Sequence, residues 1–248
     1  MSVPCFNLLS DCAGIVLAGG ASRRMGIDKA TAQLAGMSLV ERVVRTIQSV
    51  VPRVVIVASR DQVFPCFNKD DSVEIVRDSH PESGPLAGLI DGMRQLAKGP
   101  QPIQGAFVSS CDTPLLVPNV VRFLIEVVLT QARDTEKMKP PALWAVPQID
   151  GELQVLGAAY SLALLPILVQ RFVDGHRDLV GLKNHALPII LTPDDLRQYD
   201  PLLESFFDAD TPHDLARLEQ RLLEIQAGID AEKRLAADRE KNRRLKTP

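Results

Sequence analysis

Seven short, mostly apolar runs recur along the chain, at residues 15–18, 54–58, 73–76, 105–109, 143–146, 155–160 and 187–191. Runs without a clear polar face suit strands that are covered on both sides. Between most of them lie longer segments whose apolar residues fall at helical spacing. The clearest follows Ser38-Leu39-Val40-Glu41, the Ser-x-x-Glu spacing of a capping box. Beyond it Leu39, Val40, Val43, Val44, Ile47 and Val50 share one face, with Arg42, Arg45 and Gln48 on the other. Further helices are expected over 86–97, 118–131, 161–173 and 211–227. Strands and helices taking turns in this way predict an α/β chain, three layers deep, with a mostly parallel sheet. In such sheets ligands gather at the carboxyl ends of the strands.

Composition narrows the class. Hydrophobic residues make up 46% of the 248, which excludes disorder as the main state. No apolar stretch reaches the roughly 18 residues of a membrane span, and the amino-terminal stretch lacks a basic region and a cleavage site, so a soluble protein is expected. A net charge of −3 and 4% aromatics argue against a nucleic-acid surface. Cys5, Cys12, Cys66 and Cys111 form no C-x-x-C pair, which fits reduced thiols in the cytoplasm. The expected organisation is a lead-in over 1–12, one domain over 13–227 and a charged tail over 228–248, with a polar surface loop at 133–141. From 230 onward the chain holds seven basic and four acidic residues, and this stretch either extends the preceding helix or frays.

The chemistry concentrates after the first run, in Leu17-Ala18-Gly19-Gly20-Ala21-Ser22-Arg23-Arg24-Met25-Gly26-Ile27-Asp28-Lys29. A strand feeding adjacent glycines lets backbone N–H groups form an anion-binding concavity. Arg23, Arg24 and Lys29 add three cations around one turn, which repel one another unless an anion is present. The spacing fits neither the P-loop nor the dinucleotide Gly-x-Gly-x-x-Gly, which disfavours a hydride-transfer enzyme.

This segment resembles the L-A-G-G-x-S-x-R-M-G-x-x-K signature of nucleotidyltransferases related to molybdenum cofactor guanylyltransferase, the MobA-like family. The resemblance implies a Rossmann-like nucleotidyltransferase fold and a loop that wraps the nucleotide triphosphate. Leu17, Ala18, Gly19, Gly20 and Arg23 would then contact GTP, and Lys29 would reach the α-phosphate region.

Other segments extend the resemblance over roughly residues 13–220. Asp78 precedes Gly84-Pro85-Leu86-Ala87-Gly88, similar to the family's D-x(n)-G-P-L-A-G, where the acid and nearby backbone meet the base and ribose. Ser59 stands where guanylyltransferases tend to carry a base-touching Asn. Cys111-Asp112-Thr113-Pro114 resembles C-D-x-P, in which the Asp binds Mg²⁺; a carboxylate at a strand end suits that hard cation. Cys111 itself reads as core filler. Asp208-Ala209-Asp210-Thr211-Pro212-His213-Asp214-Leu215 resembles the family's closing N/D-x-N/D-T-P-x-D-L, making Asp208 or Asp210 further metal candidates and Thr211 a helix cap. Arg171, His176, Arg177 and Lys183 read either as a basic lip for a pterin phosphate or as a solvated face.

The resemblance implies transfer of GMP from GTP to the terminal phosphate of molybdopterin, with Mg²⁺ as cofactor, pyrophosphate as co-product and Lys29, Arg23 and Asp112 as catalytic residues. GTP and molybdopterin would be its small-molecule partners, and molybdoenzyme apoproteins or their chaperones the recipients of its product. Leu-Ala-Gly-Gly and Cys-Asp favour guanylyl over cytidylyl transfer, whereas the Asp-x-Asp pair is common among cytidylyl relatives. The alternatives are a CTP-using enzyme, told apart by nucleotide preference, and a non-catalytic carrier of pterin or nucleotide, which would have no need of both Lys29 and Asp112.

Overall fold

A computed structural model describes residues 8–19, 28–99, 101–134 and 143–244, the side chains of 132–134, 232 and 235–244 excepted. In chain order the described residues form β1 (Cys12–Leu17), β2 (Gln33–Leu34), β3 (Met37–Ser38), α1 (Leu39–Gln48), β4 (Val54–Ala58) and β5 (Val73–Arg77). Then follow α2 (Pro85–Ala97), β6 (Gly105–Ser110), α3 (Pro118–Asp134), β7 (Leu143–Ile149), β8 (Glu152–Leu153) and β9 (Gly157–Ser161). The chain continues through α4 (Leu165–Val173), β10 (Leu187–Leu191), α5 (Pro193–Arg197) and α6 (Pro212–Arg244).

The main sheet runs β10-β7-β9-β6-β1-β4-β5, with β8 paired to β7. Pairings β6–β1, β1–β4, β4–β5 and β10–β7 are parallel, while β9 lies antiparallel to both its neighbours. Alternate residues of each strand serve opposite layers. Cys12 and Val16 of β1 join α1 and α3 on one face, and Ala13, Ile15 and Leu17 join α2 and α4 on the other. Burying each such large apolar side chain contributes about 2 kcal/mol before the entropy of ordering it. Helix α2 lies close on β1 because it carries glycines one turn apart: a Cβ at Gly92 would sit 2.7 Å from a methyl of Ile15, and one at Gly88 3.2 Å from Leu17.

The seven expected strands and five longer helices are present, with informative differences at their ends. The run at 155–160 becomes a strand only from Gly157, because β7 first turns back through Asp150 and Gly151, both at positive φ, into β8. A similar hairpin, β2–β3, turns at Ala35 and Gly36. Helix α3 continues to Asp134, into the stretch expected as a loop; residues 135–142 lie outside the described ones. Ser38 caps α1 by accepting from the Glu41 N–H at 3.3 Å. Among the described residues Cys66 and Cys111 are free thiols, and no helix is long and apolar enough to cross a membrane.

Helix α6 runs unbroken across residue 227, so the charged stretch is helical as far as Arg244. Leu218 is buried, with Leu215, Leu222 and Ile225 packed beside it, whereas the described side chains beyond Ile225 are exposed. Truncation after Ala227 is therefore expected to shift the melting temperature by less than about 3 °C and to leave activity unchanged. A larger fall in either would show that the distal helix docks on the domain.

Candidate active site

The parallel strands β6, β1, β4 and β5 bring their carboxyl ends to one edge of the sheet, where a cleft of about 750 Å³ opens. Its lining includes Leu17, Ala18 and Gly19 after β1, Ser59 after β4, Asp78 after β5, Gly84 before α2, and Asp112 after β6. Lys29 completes it from a single 3-10 turn, Lys29–Thr31, capped by Asp28, whose Oδ1 accepts from the Ala30 N–H at 3.1 Å. The described residues named from sequence for GTP thus share one cleft. Gly20 and Arg23 lie outside the described residues.

Charge is concentrated at the β1/β6 end. The Lys29 ammonium donates to Asp112 Oδ2 at 3.1 Å and also to Asp210 Oδ1. Burial pulls the Lys29 pKa down, but the hydrogen bond to Asp210 and the charge of Asp112 outweigh it, so it lies above its ordinary value. The Ser110 hydroxyl donates to the other carboxylate oxygen of Asp112. The main chain joins these parts, because the Ala209 N–H donates to the Asp112 carbonyl at 2.8 Å and so carries Asp208 and Asp210 to the end of β6. Burial, together with the charges of Asp112 and Asp210, pushes the Asp208 carboxyl up to about 6, against the pull of Lys29. Downstream, Thr211 caps α6 with a reciprocal box: its hydroxyl accepts from the Asp214 N–H at 3.1 Å and the Asp214 carboxylate accepts from the Thr211 N–H at 2.8 Å.

The β4/β5 end is built differently. The Asp78 carboxylate accepts from the His80 N–H at 2.8 Å, a local loop contact. Asp91, buried on α2, accepts from the N–H and hydroxyl of Ser79 and ties this loop to the helix. Gly84 has φ of +78°, and a Cβ there would lie 2.8 Å from the Arg177 carbonyl oxygen, so a glycine is required. Pro85 follows at the first helical position.

Some site features had no motif to announce them. Gln62 lies in no strand or helix, yet its side chain contacts Ser59, Ala18 and Asp28. Ser110 on Asp112 and Glu82 in the cleft wall at φ of +64° are further cases. The basic stretch is corrected in part. Arg171 is buried, donates to the carbonyls of Gly181 and Asp178, and pairs with the Asp178 carboxylate, so it braces the 178–181 turn and offers no lip. The Arg177 guanidinium stacks on Phe172 at 4.2 Å. Cys111 is buried with its thiol pKa pushed up by desolvation, as suits a packing residue. Among the described residues no three His, Cys, Asp or Glu side chains gather as a metal site on their own.

Residues 14–184 match the family described as the MobA-like NTP transferase domain. The chain is 26% identical over 215 residues to the probable molybdenum cofactor guanylyltransferase of Natranaerobius thermophilus, covering 87% of this chain and 98% of that one. It is 30% identical over 213 residues to the protein of the same name from Chloroflexus aggregans, covering 85% and 94%. Among solved structures it is similar to molybdopterin-guanine dinucleotide biosynthesis protein A of Archaeoglobus fulgidus, with a TM-score of 0.66, 25% identity, and coverage of 86% and 99%.

Proposed function

The chain belongs to the MobA-like NTP transferase family, and on that premise we propose that it transfers GMP from GTP to the terminal phosphate of molybdopterin in the cytoplasm. The products are pyrophosphate and the guanine dinucleotide form of the molybdenum cofactor, destined for molybdoenzyme apoproteins or their chaperones. The observation that carries this reading is the meeting of Lys29 with Asp112 at the adjacent ends of β1 and β6, beside Gly19. These residues come from the two segments, Leu-Ala-Gly-Gly and Cys-Asp-Thr-Pro, on which the guanylyl resemblance rests.

The cleft has a direction that suits a nucleotide. From β6 to β5 is three strand steps, about 14 Å. Phosphates would lie at the β1/β6 end, on the Gly19 backbone and Lys29, and the base and ribose towards Ser59, Asp78 and Gly84. An oxygen of the acceptor phosphate attacks the α-phosphorus of GTP; the new P–O bond forms as the bond to the β-phosphate bridge breaks. The acceptor phosphate is already nucleophilic, so positioning and charge stabilisation suffice without a strong general base. Lys29 stays protonated and offsets the charge that grows on the leaving pyrophosphate.

The acidic side chains fit a magnesium ion. The Lys29 ammonium is shared by Asp112 and Asp210, so two carboxylates converge on one cation position, and oxygen donors alone suit that metal. Asp112 would hold it, with Asp210 or Asp208 as a second ligand, and the bound ion would supply positive charge to the phosphate oxygens.

The test is incubation of the purified protein with Mg²⁺, molybdopterin and each of four nucleoside triphosphates, scoring pyrophosphate release. GTP is expected to exceed CTP by at least about tenfold in kcat/KM, roughly 1.4 kcal/mol of discrimination. Equal use of CTP would replace the guanylyl assignment with a cytidylyl one. Binding without any pyrophosphate release would point to a carrier.

A further inference from the structure

Between Gly19 and Asp28 the chain passes through the glycine-rich segment, and one side chain outside that segment holds both of its flanks. Gln62 Nε2 donates to the Ala18 carbonyl at 2.9 Å on the upstream side and to Asp28 Oδ1 at 2.9 Å on the downstream side. Its Oε1 accepts from the Ser59 N–H at 2.8 Å, so the same amide is fixed to the end of β4. The amide is itself held in place. The Gln62 N–H donates to the Ser59 carbonyl at 3.3 Å, closing a tight turn, and Arg77 Nη1 at the end of β5 donates to the carbonyls of Ser59 and Gln62 at 2.9 and 2.6 Å. Asp28 in turn caps the turn that presents Lys29.

We propose that Gln62 is a positioning residue for triphosphate binding, which sets the separation of Ala18 and Asp28 and thereby the aim of both Gly19 and Lys29 at the phosphates. The proposal rests on the reading of the cleft as a nucleotide site. A carboxamide is the side chain that this place requires: one acceptor for the Ser59 N–H, and donors for a carbonyl and a carboxylate. Among the described residues the Gln62 side chain bonds both flanks of the segment and, towards the base end, the main-chain N–H of Ser59 alone, so its loss acts chiefly on the phosphate end and leaves the Asp78 and Gly84 side of the base end as it was. The affected quantity is the preference for GTP over GMP.

The experiment measures equilibrium binding of GTP and of GMP, without acceptor, together with melting temperature. Gln62→Met keeps the length of the side chain and removes its hydrogen bonds. Gln62→Glu keeps the acceptor for Ser59, loses the donors and faces Asp28 with a like charge. Both variants are expected to weaken GTP at least about tenfold while GMP stays within about twofold of wild type. Asp28→Asn retains a capping side chain and offers a donor to the carboxylate that Gln62→Glu introduces. The two substitutions combined are therefore expected to recover GTP binding to within about threefold of wild type, a non-additive outcome. Equal losses of GTP and GMP, or independent multiplication of the two single effects, would overturn the positioning role. A wild-type protein that binds neither nucleotide would instead overturn the reading of the cleft, and the role of Gln62 with it.

Discussion

Asp112→Asn is expected to leave the fold intact and to lower nucleotidyl transfer by about a hundredfold or more. The substitution nearly preserves shape, and the remaining Oδ1 can still accept from the Ser110 hydroxyl. What disappears is the full negative charge that faces Lys29 at 3.1 Å, and with it the principal carboxylate proposed for magnesium. The Asp112 side chain is only 17% exposed, so its interactions are weakly screened and the loss is felt at the reacting phosphates. Turnover measured across a magnesium titration, alongside melting temperature, checks the expectation. Near-normal turnover with unchanged magnesium dependence would move the metal elsewhere and sink the mechanism given above.

Lys29→Ala is expected to reduce turnover by a similar order, for a complementary reason. It removes the ammonium shared by Asp112 and Asp210 and leaves Asp112, Asp208 and Asp210 facing one another. With its pKa above 10.5, Lys29 is fully charged at neutral pH; what it adds to stability is lost only as pH rises through that raised value, so pH profiles below about 9 do not report it. Its removal is expected to lower the melting temperature by less than a core truncation such as Trp144→Ala, which costs about 3–5 kcal/mol at a fully buried site. Because both residues act on one transition state, the double variant is expected to fall well short of the product of the two losses. Full multiplication of the effects would mean that Lys29 and Asp112 work on separate steps.

Much of the fold is legible because it follows from local rules. Val54–Ala58 is β-branched and apolar throughout, and such a run has few places to go except the middle of a covered sheet. Ser38 and Thr211 announce helix starts through their own side chains. The reversed direction of β9 is less legible, since an apolar run carries no sign of which way it points; that is set by the β7–β8 hairpin before it. Lys29, Asp78, Gly84 and Asp112 stand out because each sits in a motif beside glycines or at a strand end. Gln62 has no such setting. Its partners Ala18 and Asp28 lie 44 and 34 residues away along the chain, and hydrogen bonds of that kind depend on how distant segments are brought together, which no local pattern carries.

The pairing of Lys29 with Asp210 spans 181 residues. Contacts so distant in sequence form late, because loop closure must precede the contact that rewards it. On a ribosome, every strand of the sheet is synthesised before Asp210 is. A nascent chain can therefore assemble the sheet, and with it the meeting of Lys29 and Asp112, while the second carboxylate is still being made. The second carboxylate proposed for the site arrives last, when the 208–214 segment docks through the Ala209 N–H onto β6.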